Sequence, residues 1–473
     1  MRAMELHVVV GGGIAGCLSA LFRKRAGFQV VMLDRCRSES SGAYPICTET
    51  SNIVSENHSG AEYPFDPRSA QDCFDGRLEN EKFFPELIYG GKDYTRILAS
   101  QSMIDAGIDI LAQCRRNMEV IRTHYGERCR ENAGNMVFGD PSLLCHEIAG
   151  VDGVNDVAGA FITPQRGLNP AFVAAALDWE LRRAGIEFRE GCDVTAIHRL
   201  NDGRYRVEFR DAEHGESEIV ADQVSLCSAA HSFRMAKRLN PAMEFPRIFV
   251  ALREILYVSL PDGTDKTFTC LKLEDEYGGM LSPLNDSCAM MYYPPAAHIL
   301  NVILDPGSCS HPPEYDQFLA NGHPEQEQRA AATMQAVRKY FPELRRSEIL
   351  GTYLKVAINT VADSRVRRNV GVFQVLPACT MTVLPKWTMC VVNVRKELDM
   401  VLDHSCRAGN LDPDEAAQRR ANVASYRLEP PDRWMSDPEI LSSLALRHAA
   451  NMKIPAAVAR PMLAVMPSAR AGA

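Results

Sequence analysis

The chain is predicted to have an α/β fold in which a dinucleotide-binding unit is interleaved with a mixed-sheet α+β region. Three observations predict it: a strand-glycine-helix-strand pattern at residues 6–34, short strands recurring near 187–230 and 246–306, and amphipathic helices between them. At 473 residues the chain exceeds one ordinary core, so two interleaved domains are expected.

Residues 6–34 read LHVVVGGGIAGCLSALFRKRAGFQVVMLD. An apolar β-branched run leads into Gly11-x-Gly13-x-x-Gly16, an amphipathic helix follows, and a second apolar strand ends at Asp34. Gly11 permits the tight turn, Gly13 lets the backbone approach a pyrophosphate, and Gly16 lets the helix pack closely on the sheet. The pyrophosphate is then expected at the helix N-terminus, beside Ile14 and Ala15, where unpaired N–H groups favour negative charge. Asp34 lies 18 residues beyond Gly16, the place of an acid that hydrogen-bonds a ribose 2′-hydroxyl. An acid there repels a 2′-phosphate, so the expected ligand is FAD or NAD and not NADP. Arg35 completes the candidate cofactor residues of this unit.

Average apolar (46%) and charged (24%) content excludes extensive disorder. The net charge of −8 argues against nonspecific nucleic-acid binding, and no apolar run reaches the roughly 18 residues of a membrane-spanning helix. Fifteen cysteines lacking any C-x-x-C pair fit reduced thiols better than disulfides or a zinc site, so no metal is expected. A cytoplasmic enzyme acting on a small molecule is the resulting expectation.

Further along, residues 96–124 carry apolar positions at helical spacing and read as one long helix. Residues 171–185 read as a helix ended by Gly185, and 187–230 as strands with an Asn201-Asp202-Gly203 hairpin turn. Residues 246–306 read as strands, 326–345 as a polar helix ending near Phe341-Pro342, and 389–404 as a last packed helix. From about Ile454 the composition suggests a loose tail. No second dinucleotide fingerprint is found, because Gly278-Gly279 and Gly371 lack a third glycine and a following helix. With one dinucleotide bound, electrons are expected to enter from an organic substrate and leave to oxygen or another acceptor.

The fingerprint, the segment NPAFVAAALDWELRRAGIEFREGCDVTAIHRLNDGRYRVEF and the strand running into Ser228-Ala229-Ala230 together resemble the D-amino-acid oxidase and glycine oxidase superfamily of FAD enzymes. That resemblance implies a Rossmann-type, glutathione-reductase-like FAD domain, and it places Val194 against the adenine through its backbone. Asn57-His58-Ser59-Gly60-Ala61-Glu62-Tyr63-Pro64 is similar to an H-x-G-x-H-Y-P block lying beside the flavin in one subgroup, with Glu62 where the second His usually stands. His58 and Gly60 are thereby candidate flavin contacts, and His58 is also a candidate attachment point. The stretch VLPACTMTVLPKWTMC departs from the glycines usual after the last FAD-domain strand.

Several side chains are candidates for the chemistry. Thr388 is the expected N-cap of the last helix, whose N-terminus would stabilise anionic flavin. Lys386 would add positive charge and assist electron transfer to oxygen, and Trp387 packs beside it. Arg253, a charge within VALREILYV, either meets a substrate carboxylate or points to solvent. Tyr277 is read as entering the substrate cavity or packing in the core, and Ser228 and His231 as lying near the cofactor.

The expected partition is an FAD domain from 1–68, 165–236 and 350–405, a substrate domain from 69–164 and 237–349, and a C-terminal helical extension and tail over 406–473. The leading reaction is two-electron oxidation of a C–N bond in a small amine or amino acid to an imine. Oxidation of a hydroxy acid, desaturation or oxygenation of a biosynthetic intermediate, and a structural FAD-binding subunit are the alternatives. Substrate identity and oligomeric state are unspecified by the sequence.

Overall fold

A computed structural model describes residues 4–39, 42–46, 56–85, 88–89, 95–262 apart from 169, 268–272, 280–283, 287–360 apart from 306, 371–428 apart from 385, 438–451, 453–454 and 458–459. Tyr277, Gly278-Gly279 and the tail beyond 459 lie outside these residues.

The glycine turn sits on a six-stranded sheet with the order Val372–Leu376, Cys379–Thr382, Gln223–Leu226, Leu6–Val10, Gln29–Asp34, Glu187–Glu190. All neighbours are parallel except the first pair. The runs VVV and VVML are buried, as strands covered on both faces must be. The helix Ile14–Arg25 and the helix Cys390–Arg407 pack against one another beside this sheet. Between them lies a fully buried ion pair, Arg23 Nη2 to Glu397 Oε1 at 2.7 Å. Burial alone would raise the Glu397 carboxyl, but the Arg23 charge and hydrogen bonds from Ser225 and Thr380 outweigh it and hold it below the ordinary carboxylate range.

An antiparallel meander of Cys192–Arg199, Tyr205–Asp211 and Gly215–Ala221 leaves this sheet, with the 201–203 turn joining its first two strands. A nine-stranded mixed sheet forms the other layer. Its long strand Ile248–Ser259 pairs along one edge with Ile349–Thr360 and along the other with His298–Ile303 and then Cys288–Tyr292. Ile255 and Tyr257 on one face of that strand join the core containing Ile14, Leu18 and Phe172. The opposite face turns Leu256 and Val258 toward the helix Gln326–Tyr340.

The long helix expected over 96–124 is instead a strand and two helices. Thr95–Ser100 is a strand between Phe268–Lys272 and Val157–Thr163. Ser100 then caps the helix Gln101–Asp105, and Asp109 caps Ile110–Glu131. Gly107 at φ +83° separates them, a conformation that a helix interior does not admit. Local apolar spacing in RILAS does not distinguish a buried strand from a helix, and sheet pairing decided it. The helix Gln326–Tyr340 stops before Pro342 as expected.

Beyond residue 406 the helices Pro413–Ala424 and Pro438–Asn451 are present. The second packs on the helix Pro170–Arg183, with His448 Nε2 at 3.1 Å from Asp178 Oδ2. Its Asn451 accepts from the Glu39 backbone N–H at 2.9 Å and donates to the Tyr44 carbonyl at 3.0 Å, holding the chain that follows Asp34. Among the described residues no helix is long and apolar enough to cross a membrane, and every cysteine is free.

Candidate active site

The glycine turn is shaped by close backbone approaches. Gly11 has φ +113°, and a Cβ there would lie 2.7 Å from the Cys227 carbonyl oxygen. A Cβ on Gly16 would overlap the Gly11 carbonyl, so the helix start depends on glycine at both positions. Gly13 precedes the helix in extended conformation, the first turn holds no acidic residue, and Ile14 and Ala15 are buried under it. These N–H groups therefore present an anion-binding terminus without a competing carboxylate.

Asp34 ends the second strand and is held facing this turn. Its Oδ2 accepts from the Gly12 N–H and its Oδ1 from the Cys36 N–H at 2.7 Å. A cleft of about 780 Å³ opens here, bounded by Gly11–Gly13, Asp34, Arg35, Val194, Ser228 and His231. Ser228 donates through Oγ to the Val10 carbonyl at 3.1 Å, which ties the chain leaving Gln223–Leu226 to the end of Leu6–Val10 at the lip. Arg234 and Arg238 also line the cleft, and the sequence reading assigned them nothing. Their spacing from His231, three and seven residues along the helix Ala230–Leu239, was the available signal that they share a face.

The segment around His58 meets the start of the helix Cys390–Arg407 at a second place. The His58 backbone N–H donates to Thr388 Oγ1 at 2.9 Å, and the Ser59 N–H donates to Gln165 Oε1 at 3.1 Å. Gly60 has φ +88°, and a Cβ there would run into the Ala70 carbonyl. His58 Nδ1 lies 3.1 Å from Glu62 Oε1, with both side chains mostly buried. Lys386 Nζ sits 3.9 Å above the Tyr63 ring and 3.6 Å from Cys73 Sγ. Burial pushes the Cys73 thiol up to about 11 and the Tyr63 phenol well above its usual range, both against the pull of the Lys386 charge.

Thr388 is not the expected N-cap. It lies in a 3₁₀ turn, Trp387–Met389, and Met389 precedes the helix Cys390–Arg407 without a side-chain cap. The Thr388 hydroxyl is engaged by His58, which explains why it does not cap. Trp387 is buried in the core shared with Ile14 and Leu18. Gln165 and Cys73 went unnoticed in the sequence, because their partners are 106 and 313 residues away.

Arg253 occupies the middle of the strand Ile248–Ser259, between Lys355 and His298 in register. It shares a strand face with Ile255 and Tyr257, and its guanidinium carbon lies 5.6 Å from the Tyr292 ring centroid. Its Nε is buried without a hydrogen-bond partner, and no acid pairs with it among the described residues.

A family model described as FAD dependent oxidoreductase (DAO) matches residues 7–357. No curated protein matches the chain in sequence. Among solved structures, iminodiacetate oxidase from Chelativorans sp. BNC1 superposes with a TM-score of 0.55 at 15% identity, over 86% of this chain and 96% of that one. Glycine oxidase from Geobacillus kaustophilus gives 0.56 at 13%, over 87% and 96%. L-proline dehydrogenase from P. horikoshii gives 0.57 at 14%, over 87% and 100%. At these identities the likeness is one of fold. The glycine turn, the acid facing it and the matched residues 7–357 agree, and the chain belongs to the DAO family of FAD-dependent oxidoreductases.

Proposed function

We propose that this enzyme oxidises a C–N bond of a small amino acid or related carboxylated amine to the imine, with electrons passed to oxygen or another acceptor. The observation that carries this reading is Arg253, a guanidinium without an acidic partner among the described residues, set beside tyrosines on the sheet face that meets the cofactor-binding layer. An unpaired, partly desolvated arginine in an apolar surround is suited to bidentate capture of a carboxylate. The three structural neighbours named above, among others that match, are each named for a compound that carries both an amino nitrogen and a carboxylate, which supports the same class.

Bound FAD supplies the acceptor for the two electrons released when the substrate C–H and N–H bonds become a C=N bond. Gly11, Gly13, Gly16 and the first helical turn would hold its pyrophosphate, Asp34 its ribose, and Val194 its adenine. The close approaches that glycine alone permits, and a carboxylate oriented by Gly12 and Cys36, fit that cargo. Within this reading Arg253 orients the substrate, His58 and Gly60 line the reacting end, and Lys386 supplies positive charge there. Residues 1–68, 165–236 and 350–405 serve the cofactor, and 69–164 and 237–349 the substrate.

The test is anaerobic addition of amines, amino acids and hydroxy acids to the purified holoprotein while its visible spectrum is recorded. Bleaching of the flavin band by amino acids, and not by the matching hydroxy acids, is expected. Bleaching by hydroxy acids alone would refute the C–N assignment.

A further inference from the structure

We infer that His231, His311 and Asp316 form a binding site for one divalent cation of the zinc class at the rim of the cofactor cleft. His231 opens the helix Ala230–Leu239, and Asp316 stands in the first turn of the helix Pro313–Asn321, with His311 just before it. His311 Nε2 lies 3.2 Å from Asp316 Oδ2, and His231 Nε2 lies 3.7 Å from Asp316 Oδ1. Candidate ligand atoms of all three lie within 4.8 Å of one another. Bonds of about 2.0–2.1 Å to a tetrahedral zinc would separate ligand atoms by roughly 3.3 Å, so atoms now within 4.8 Å of one another must draw together around the ion.

Protonation supports the assignment. Arg35 Nη2 lies 3.2 Å from His231 Nε2, and a guanidinium can only donate. His231 Nε2 therefore carries no proton and presents its lone pair, the form in which imidazole binds metals. That nitrogen faces an Asp316 carboxyl oxygen 3.7 Å away, with a gap a cation fits. Both imidazoles are nearly buried while the Asp316 side chain is half exposed, which leaves a route for the ion and for a fourth ligand from water. Two nitrogens and one carboxylate oxygen suit zinc better than calcium or magnesium, which take all-oxygen shells. The cation must displace Arg35 from His231, and Arg35 lines the cofactor cleft.

The test is titration of the chelator-treated, dialysed full-length holoprotein with Zn²⁺ by calorimetry and with Co²⁺ by visible absorption. One ion per chain with a tetrahedral Co²⁺ spectrum is expected. Asp316→Asn and His311→Gln should each weaken binding by more than the roughly 10–100-fold that loss of a supporting partner costs. Circular dichroism of each variant checks its fold, and Asp316→Asn changes only a half-exposed side chain. Absence of binding overturns the inference. Binding of unchanged affinity in both variants, or a thiolate charge-transfer band with Co²⁺, places the ion on cysteine elsewhere and overturns it equally.

Discussion

Thr388 Oγ1 accepts a hydrogen bond from the backbone N–H of His58 at 2.9 Å, joining segments 330 residues apart. Thr388 is fully buried, so no water replaces it when the acceptor is removed. Thr388→Val, which keeps the shape, should cost about 1–3 kcal/mol in denaturant unfolding, while Thr388→Ser should retain most of the stability. Equal losses in both variants would assign the effect to packing.

Lys386 is held above the Tyr63 ring and beside the Cys73 thiol. Lys386→Met should lower turnover with oxygen on the order of 10²-fold, the usual loss when a fixed charge leaves a preorganised site. Turnover with an artificial electron acceptor should change far less. Parallel assays with oxygen and a dye provide the check, and equal losses with both would remove Lys386 from oxygen chemistry.

Arg253 supplies a charge that a carboxylated substrate completes. Arg253→Met should reduce kcat/KM for an amino acid roughly 10- to 150-fold, matching the loss of about 1.5–3 kcal/mol for hydrogen bonds to a charged group. For the corresponding amine lacking the carboxylate, the same variant should differ little from the parent. Steady-state kinetics on the pair of substrates reads this directly.

Glu254, the neighbour of Arg253, turns to the opposite face and is 2% exposed. Burial pushes its carboxyl from 4.5 up to about 7, against the charge of Arg329. The folded protein therefore holds a proton that the unfolded chain releases, and stability falls as pH rises from 4.5 to 7 and is level above. Glu254→Gln should remove that decline and stabilise the protein at pH 8 by about 1–3 kcal/mol. Unfolding curves from pH 5 to 8 would show the two profiles diverging with pH, and parallel profiles would contradict the account.

Local patterns carried the cofactor half of this molecule. Gly11, Gly16 and Asp34 sit within 24 residues, so the constraints linking turn, helix and acid were readable as spacing. The meander at 192–221 was equally legible, because its turn chemistry and alternation are local. RILAS was misread because only pairing with strands 57 and more residues away makes it a strand. Thr388 was misread for the same reason, its partner being His58. Lys386, Tyr63 and Cys73 meet through tertiary packing, which no single window of sequence contains. Arg253 was left between two readings, and in the structure its Nε is buried while the residue as a whole is half-buried.

The sheet that carries the glycine turn takes strands from Leu6–Val10 and, 369 residues later in sequence, from Cys379–Thr382, and the turn's own helix buries Arg23 against Glu397. A nascent chain thus makes the fingerprint well before these supports. Until residue 397 is available, Arg23 lacks the countercharge that permits its burial, since an uncompensated charge in that position is strongly disfavoured. Burial of Arg23 as an ion pair therefore waits for synthesis of residue 397. A chain terminated between residues 34 and 397 carries the motif without the Glu397 countercharge of its helix.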